Sequence, residues 1–259
     1  MAEPPASIRA LAADRRAGAG EIARRAARAL GELDPRLTRP SLEALLRGHP
    51  GMAPLWRLAG AILAAPSPRL GAAAFLRELD EDGRAAAVAA SVLPRTVVTI
   101  SWSSSVLHAL LVRRPDGVRC MASHPGGEGA RMAAALREHL PDVRVVPDEE
   151  ALADPAAEAA LFGADAIGPG GAVNKVGTRA LCRAARRAGI PTICVAGETK
   201  LLGEDLPAGG AFERVPLGSV DVVALPDGPA GPAEVAARLG RFPLHPSLRP
   251  LLEELRAIG

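Results

Sequence analysis

The chain has no tyrosine, and aromatic residues make up only 2% of its 259 positions. Of its 31 basic residues only Lys175 and Lys200 are lysine, and alanine and arginine are used heavily. This is the signature of a GC-rich coding sequence, and it singles out the two lysines that remain. Three cysteines, Cys120, Cys182 and Cys194, show no CxxC spacing. An odd number without a framework argues against a disulfide scaffold and suits a reducing compartment. No metal site and no cofactor is expected. The opening segment MAEPPASIRALAADRR lacks the apolar stretch of a secretory leader. The most apolar short run, Leu58 to Ala65, is far too short to cross a bilayer. Lys+Arg exceeds Asp+Glu by 31 to 29, a net charge of +2, so nothing global favours nucleic acid or an anionic membrane surface. A cytoplasmic protein is expected.

What is present suffices for a large core: 48% of residues are hydrophobic and 23% charged. The pattern changes near Leu93-Pro94. Before it, helical spacing dominates, over Ile22–Leu33, Ser41–Arg47, Pro54–Ala64 and Leu70–Leu79, with proline-rich breaks between. After it, short apolar runs read as strands: Thr96–Ile100, Val118–Ala122, Val143–Val146, Ala164–Ile167, Thr192–Ala196 and Val220–Ala224. Helices are predicted over Ser103–Arg113, Gly129–His139, Glu149–Leu161 and Lys175–Ala188, with an amphipathic helix at Ser247–Ile258. The expected fold is α/β: a helical N-terminal region, residues 1–93, then a Rossmann-like parallel sheet with helices on both faces, residues 94–259.

Open parallel sheets bind ligands outside the carboxyl ends of their strands, so polar residues just after each strand are the candidates. Ser101-Trp102-Ser103-Ser104-Ser105 follows the first strand. Its serines read either as helix caps or, with the helix N-terminus, as an anion seat walled by Trp102. Ser123-His124-Pro125-Gly126-Gly127-Glu128-Gly129 follows the second. Its glycines allow close backbone approach to a phosphate, and His124 is either a ligand contact or an ordinary surface histidine. The third segment, Gly163 to Thr178, places Asp165 inside an apolar strand, where a carboxylate needs a partner or a function. Its glycine loop then ends at Asn174-Lys175, which would open a helix and supply donors and charge.

The run GADAIGPGGAVNKVGT resembles the signature of a superfamily. Its members are methylthioribose-1-phosphate isomerase, ribose-1,5-bisphosphate isomerase and the alpha, beta and delta subunits of translation initiation factor 2B. Val97–Ser105 is similar to the family's "TH", then Cys or Ser, strand end. Ser123–Gly129 stands in the place of its "SRP…QG" loop, and Pro191–Lys200 resembles its "VPFYVAAPTSK" strand. Arg16-Ala17-Gly18-Ala19 resembles its helix-opening "RGA". The likeness is strong from Val97 to Lys200 and weaker before Leu93.

The resemblance implies homodimers and a phosphorylated sugar or nucleotide as ligand. It assigns Asp165 as acid/base or hydroxyl ligand. Gly18, Ala19, Ser103, His124, Gly127, Gly129, Asn174, Lys175 and Lys200 become ligand or phosphate contacts. The departures are specific. The isomerase Cys position is Ser101, and a serine hydroxyl does not shuttle protons near pH 7 without an activating base. The regulatory subunits carry Ser there. The Arg of "SRP" is His124, and that of "RGA" is Ala17, beside Arg16. The loop from Asp165 to Asn174 is about one residue shorter than usual. Three functions follow as expectations. The first is a phosphosugar-binding protein without the isomerase thiol. The second is an active aldose-to-ketose isomerase using Asp165 with His124. The third is a regulatory or assembly subunit.

Overall fold

Side chains alternate across a strand, and β1 (Thr96–Thr99) shows what this chain does with that alternation. Val97 enters one apolar core, and Val98, with Ile100 just beyond, enters another. The same split runs through β2 (Gly117–Met121), β4 (Ala159–Gly163) and β7 (Thr192–Val195), all buried along their length. A sheet buried on both faces needs helices on both, and the chain supplies them. In this computed structural model, which describes residues 3–151 and 154–258, the main sheet runs β3-β2-β1-β4-β7-β9-β10. Here β3 is Val143–Val146, β9 Val222–Leu225 and β10 Gly228–Ala230. All neighbours pair in parallel except β10. One face carries α6 (Arg84–Val92), α7 (Ser104–Arg113) and α8 (Glu128–Arg137). The other carries α9 (Thr178–Ala188), α10 (Pro232–Arg238) and an antiparallel three-stranded sheet of β5 (Ala166–Gly168), β6 (Gly171–Lys175) and β8 (Phe212–Val215).

The remaining helices form a layer with its own core. They are α1 (Ala6–Ala13), α2 (Ala19–Gly31), α3 (Pro35–Gly48), α4 (Ala53–Ala64) and α5 (Pro68–Glu81). Trp56 and Phe75 lie at its centre, and Leu251 and Leu252 of α11 (Arg249–Ile258) complete it from the far end of the chain. Conversely α6 packs on the sheet. Two contacts seat the helical layer on the sheet's carboxyl edge. The Ala53 N–H, at the start of α4, donates to Asp165 O at 2.9 Å. Asp82, capping α5, accepts from the hydroxyl and N–H of Thr199, beyond β7. Gly197 makes room for it, because a Cβ there would stand 1.9 Å from the Asp82 carboxyl carbon.

Four sequence expectations change. The fourth core strand is Ala159–Gly163 rather than Ala164–Ile167. A helix over Glu149–Leu161 does not form: one 3-10 turn covers Asp148–Glu150, Leu152 and Ala153 lie outside the described residues, and the strand begins at Ala159. Asp165 therefore sits in the link between β4 and β5, not within a strand. Asn174 and Lys175 end β6, so neither opens a helix, and α9 starts at Thr178. The cause is turn chemistry. Gly168 pairs with Gly171 around Pro169-Gly170, and Gly171 has φ 131°. A left-handed glycine at such a turn makes a hairpin, not a phosphate loop. Finally, Ser41 lies inside α3 with a buried, unpartnered hydroxyl, and Asp34 is the cap, accepting from Arg36 N at 2.8 Å.

His49, at the end of α3, is buried with Nε2 2.8 Å from Leu11 O. Burial pushes its pKa down, the Leu11 carbonyl offsets part of this, and Arg15 lowers and Asp14 raises it further. An unfolded chain takes up this proton near pH 6.5, while the folded chain does so only at lower pH. Stability is therefore expected to fall as pH drops from about 7.5 to about 5.5, by at most about 1.4 kcal/mol per pH unit from this group. Urea midpoints across that range check this, and His49→Gln should remove the part due to His49.

Candidate functional site

The strand order reverses between β1 and β4. Two crossovers leave in opposite directions there and open a crevice at the carboxyl edge. Ile100 to Ser103 leave β1 at that point, and Ala164-Asp165 leave β4. Ser103 caps α7, its Oγ accepting from Val106 N at 3.4 Å. It is pressed against β4, since a Cβ on Gly163 would lie 2.5 Å from that oxygen. Ser101 and Ser123, at the ends of β1 and β2, both have left-handed backbones, φ 66° and 64°. For residues with a Cβ that conformation costs of order 1–3 kcal/mol, and it persists where surroundings over-determine it. Here they do. Ser101 N donates to Ser123 Oγ at 2.8 Å, and Ser123 Oγ donates to Met121 O at 3.0 Å.

Asp165 is half-buried and its main-chain groups are engaged, N with Val173 O and O with Ala53 N. Among the described residues its carboxylate accepts no hydrogen bond. Burial pushes its pKa up, and Lys200 partly opposes the rise. The Lys200 Nζ donates to Ala164 O at 2.7 Å. Asp82 answers to the same lysine from the helical side: burial raises it, while the Thr199 bonds and Lys200 lower it. Lys200 thus acts electrostatically on a carboxylate of each layer.

Lys175 is 3% exposed, and its Nζ donates to Glu128 Oε1 at 2.7 Å. Glu128 Oε2 is buried without a partner among the described residues. Asn174 is buried and turned inward, its Nδ2 donating to Thr178 Oγ1 at 2.9 Å. In the 123–129 loop the Ser123 and His124 N–H groups donate to Asp148 at 2.7 and 2.9 Å, and the Gly127 N–H to Ser123 O at 3.0 Å. The His124 ring is exposed, and no hydrogen bond among the described residues joins it to Asp165. Gly129 has a strict role: a Cβ there would stand 1.7 Å from Met121 O, so α8 seats directly on the end of β2. Gly18 caps α2 and Ala19 begins it. Their loop is tied to the sheet by Arg131 of α8, which donates to Arg16 O at 2.6 Å and lies over the Trp102 ring at 3.6 Å.

Glu128, Arg131, Asp148 and Asp82 were not singled out from sequence. Glu128 lay within a glycine run whose glycines drew the attention, and Asp148 stands just before a stretch expected to be helix. Two surface clefts flank these residues. One is lined by Asp148, Glu149, Ala184 and Arg187, and the other by Arg57, Glu78, Asp82, Glu198 and Phe242. No group of His, Cys, Asp and Glu able to hold a metal occurs among the described residues, and no described helix is long and apolar enough to cross a membrane.

Fold and crevice define a doubly wound α/β protein with a polar switch-point site and a helical layer docked at its rim. The family described as the Initiation factor 2 subunit family matches residues 71–207, more than half of the chain, and the chain belongs to that family. Among solved structures, a translation initiation factor eIF-2B from Pyrococcus horikoshii OT3 is 26% identical. It has a TM-score of 0.75 over 86% of this chain and 94% of that one. The tetrameric eIF2B-beta2-delta2 complex from C. thermophilum is 19% identical, with TM-score 0.73 over 91% and 93%. The 5-methylthioribose 1-phosphate isomerase of P. horikoshii OT3 is also 19% identical, with TM-score 0.68 over 91% and 86%. The last two share the fold. A comparison with curated protein sequences finds no match.

Gly129→Ala should destabilise the protein by about 1–3 kcal/mol or more, because the added methyl meets a main-chain oxygen that cannot rotate away. Gly218→Ala, with open space at its Cβ, serves as the control in the same urea titration.

Proposed function

We propose that this chain binds a phosphorylated sugar at the β1–β4 crevice and does not isomerise it. The supporting observation is the thiol chemistry. By resemblance the isomerase Cys falls at Ser101, and the cysteines the chain does have are buried in its cores. Burial pushes each thiol up to about 12. Thiols so placed supply no thiolate near pH 7. Among the described residues no basic side chain is hydrogen-bonded to the Ser101 hydroxyl, and its N–H donates to Ser123 Oγ. Asp165 keeps a free carboxylate, suited to accept sugar hydroxyls. Lys200, Lys175, Asn174, Ser103, His124 and the loops holding Gly18, Ala19, Gly127 and Gly129 would surround the ligand. We further take the chain to be a cytoplasmic homodimer, with residues 1–93 as its helical part and 94–259 as its ligand-binding part.

A regulatory role is the second reading. The 26% identity to a translation initiation factor supports it, because Ser rather than Cys at position 101 is what the resemblance associates with the regulatory subunits. In that case the crevice is a sensor, and a heterologous partner copurifies with the protein.

The deciding experiment incubates the protein with aldose 1-phosphates, including methylthioribose 1-phosphate and ribose 1,5-bisphosphate, in deuterated buffer followed by proton NMR. Line broadening of one compound without ketose is the expected result. Asp165→Asn should weaken that binding about tenfold, the size of one lost hydrogen bond to a charged group. Ketose formation that His124→Ala abolishes would make the chain an isomerase instead.

A further inference from the structure

The loop that would cradle a phosphate already faces two acids of its own chain. Asp148 holds the Ser123 and His124 N–H groups at 2.7 and 2.9 Å. Glu128 folds back over the loop, and a Cβ on Gly126 would stand 2.3 Å from its Oε1. Gly126 is thus the residue that makes space for the carboxylate. The same oxygen takes the Lys175 ammonium at 2.7 Å, and the other oxygen is buried with no donor among the described residues.

We propose that Glu128 is a resident anion. Its carboxylate occupies the position beside Lys175 and Gly126, and a ligand phosphate enters only by displacing it. This deepens the phosphosugar reading and rests on it. Two anions do not share one ammonium without strong repulsion in a site shielded from water. Which partner yields is set by exposure: the Lys175 side chain is 3% exposed and enclosed, whereas that of Glu128 is 30% exposed and can turn to solvent. Displacement must be offset by other contacts. A phosphate ester gains them from its sugar hydroxyls on Asp165, and free inorganic phosphate has none. Glu128 is therefore a specificity residue that rejects inorganic phosphate and admits phosphate only when a sugar accompanies it.

The test titrates inorganic phosphate into wild type, Glu128→Gln and Glu128→Asp, by calorimetry and by thermal shift, with circular dichroism confirming each fold. Glu128→Gln removes the competing charge and should bind phosphate about tenfold tighter than wild type. Glu128→Asp keeps the charge on a shorter arm and should show a smaller gain. If Glu128→Gln does not fold, Glu128→Asp carries the test, and equal affinity with wild type overturns the inference. Measurable phosphate binding that is equal in all three proteins overturns the role of Glu128 and leaves the phosphosugar reading standing. Absence of phosphate binding in every variant, together with absence of sugar-phosphate binding in wild type, overturns both.

Discussion

Lys175 is enclosed on a strand end, and an ammonium so placed requires a carboxylate within reach. Glu128 provides it, but only because the first turn of α8 is pressed onto the end of β2, and that approach exists because residue 129 has no side chain. From the same turn Arg131 extends the other way, covering Trp102 and holding the Arg16 carbonyl. One helix start thus joins the small sheet through Lys175, the β1 loop through Trp102 and the helical layer through Arg16. Shifting α8 by a fraction of an ångström would loosen all three at once.

Much of this fold is legible in sequence, for a definite reason. Val97, Val98, Leu161, Ile193 and Val223 lie in strands buried on both faces, and such strands read as plain apolar runs. The helical layer announces itself by periodicity. What failed was the stretch from Glu149 to Lys175. Ala159-Ala160-Leu161-Phe162 has the alanine-rich composition of a helix, and its β character is imposed by pairing with β1 and β7 on either side. Local propensity does not register that. Gly168-Pro169-Gly170-Gly171 is a hairpin turn between two short apolar runs, and its glycines mimic a phosphate loop. The switch point itself was legible: Ser101 and Ser103 follow β1 and Asp165 follows β4 there. The acids that answer the donors were not, because Glu128 to Lys175 and Asp148 to Ser123 are pairings of residues far apart in the chain.

The site's electrostatics differ from what a list of its residues suggests. Lysines, glycines and a helix start read as an anion seat. In three dimensions Lys175 faces Glu128, Lys200 lies near Asp165 and Asp82, and two loop amides face Asp148. The chain has supplied a carboxylate to Lys175 and to the Ser123 and His124 N–H groups. Such pairing lets an otherwise unfavourable cluster of charge remain folded without a ligand. On the proposed function, binding there would be an exchange of partners, so affinity would depend on differences between contacts and not on their sum.

The same exchange bears on how the two layers communicate. Asp165 O receives the Ala53 N–H of the helical layer, and Lys200, beside Asp165, also acts on Asp82 at the end of α5. On the proposed function, a ligand that changes the charge near Lys200 would also alter the field acting on Asp82, whose carboxylate holds Thr199. No long pathway is needed, because one ammonium acts electrostatically on both carboxylates. On the proposed function, a switch point under a helical layer, with one lysine acting on a carboxylate of each, would let a bound ligand be felt in that layer even where it is not chemically transformed.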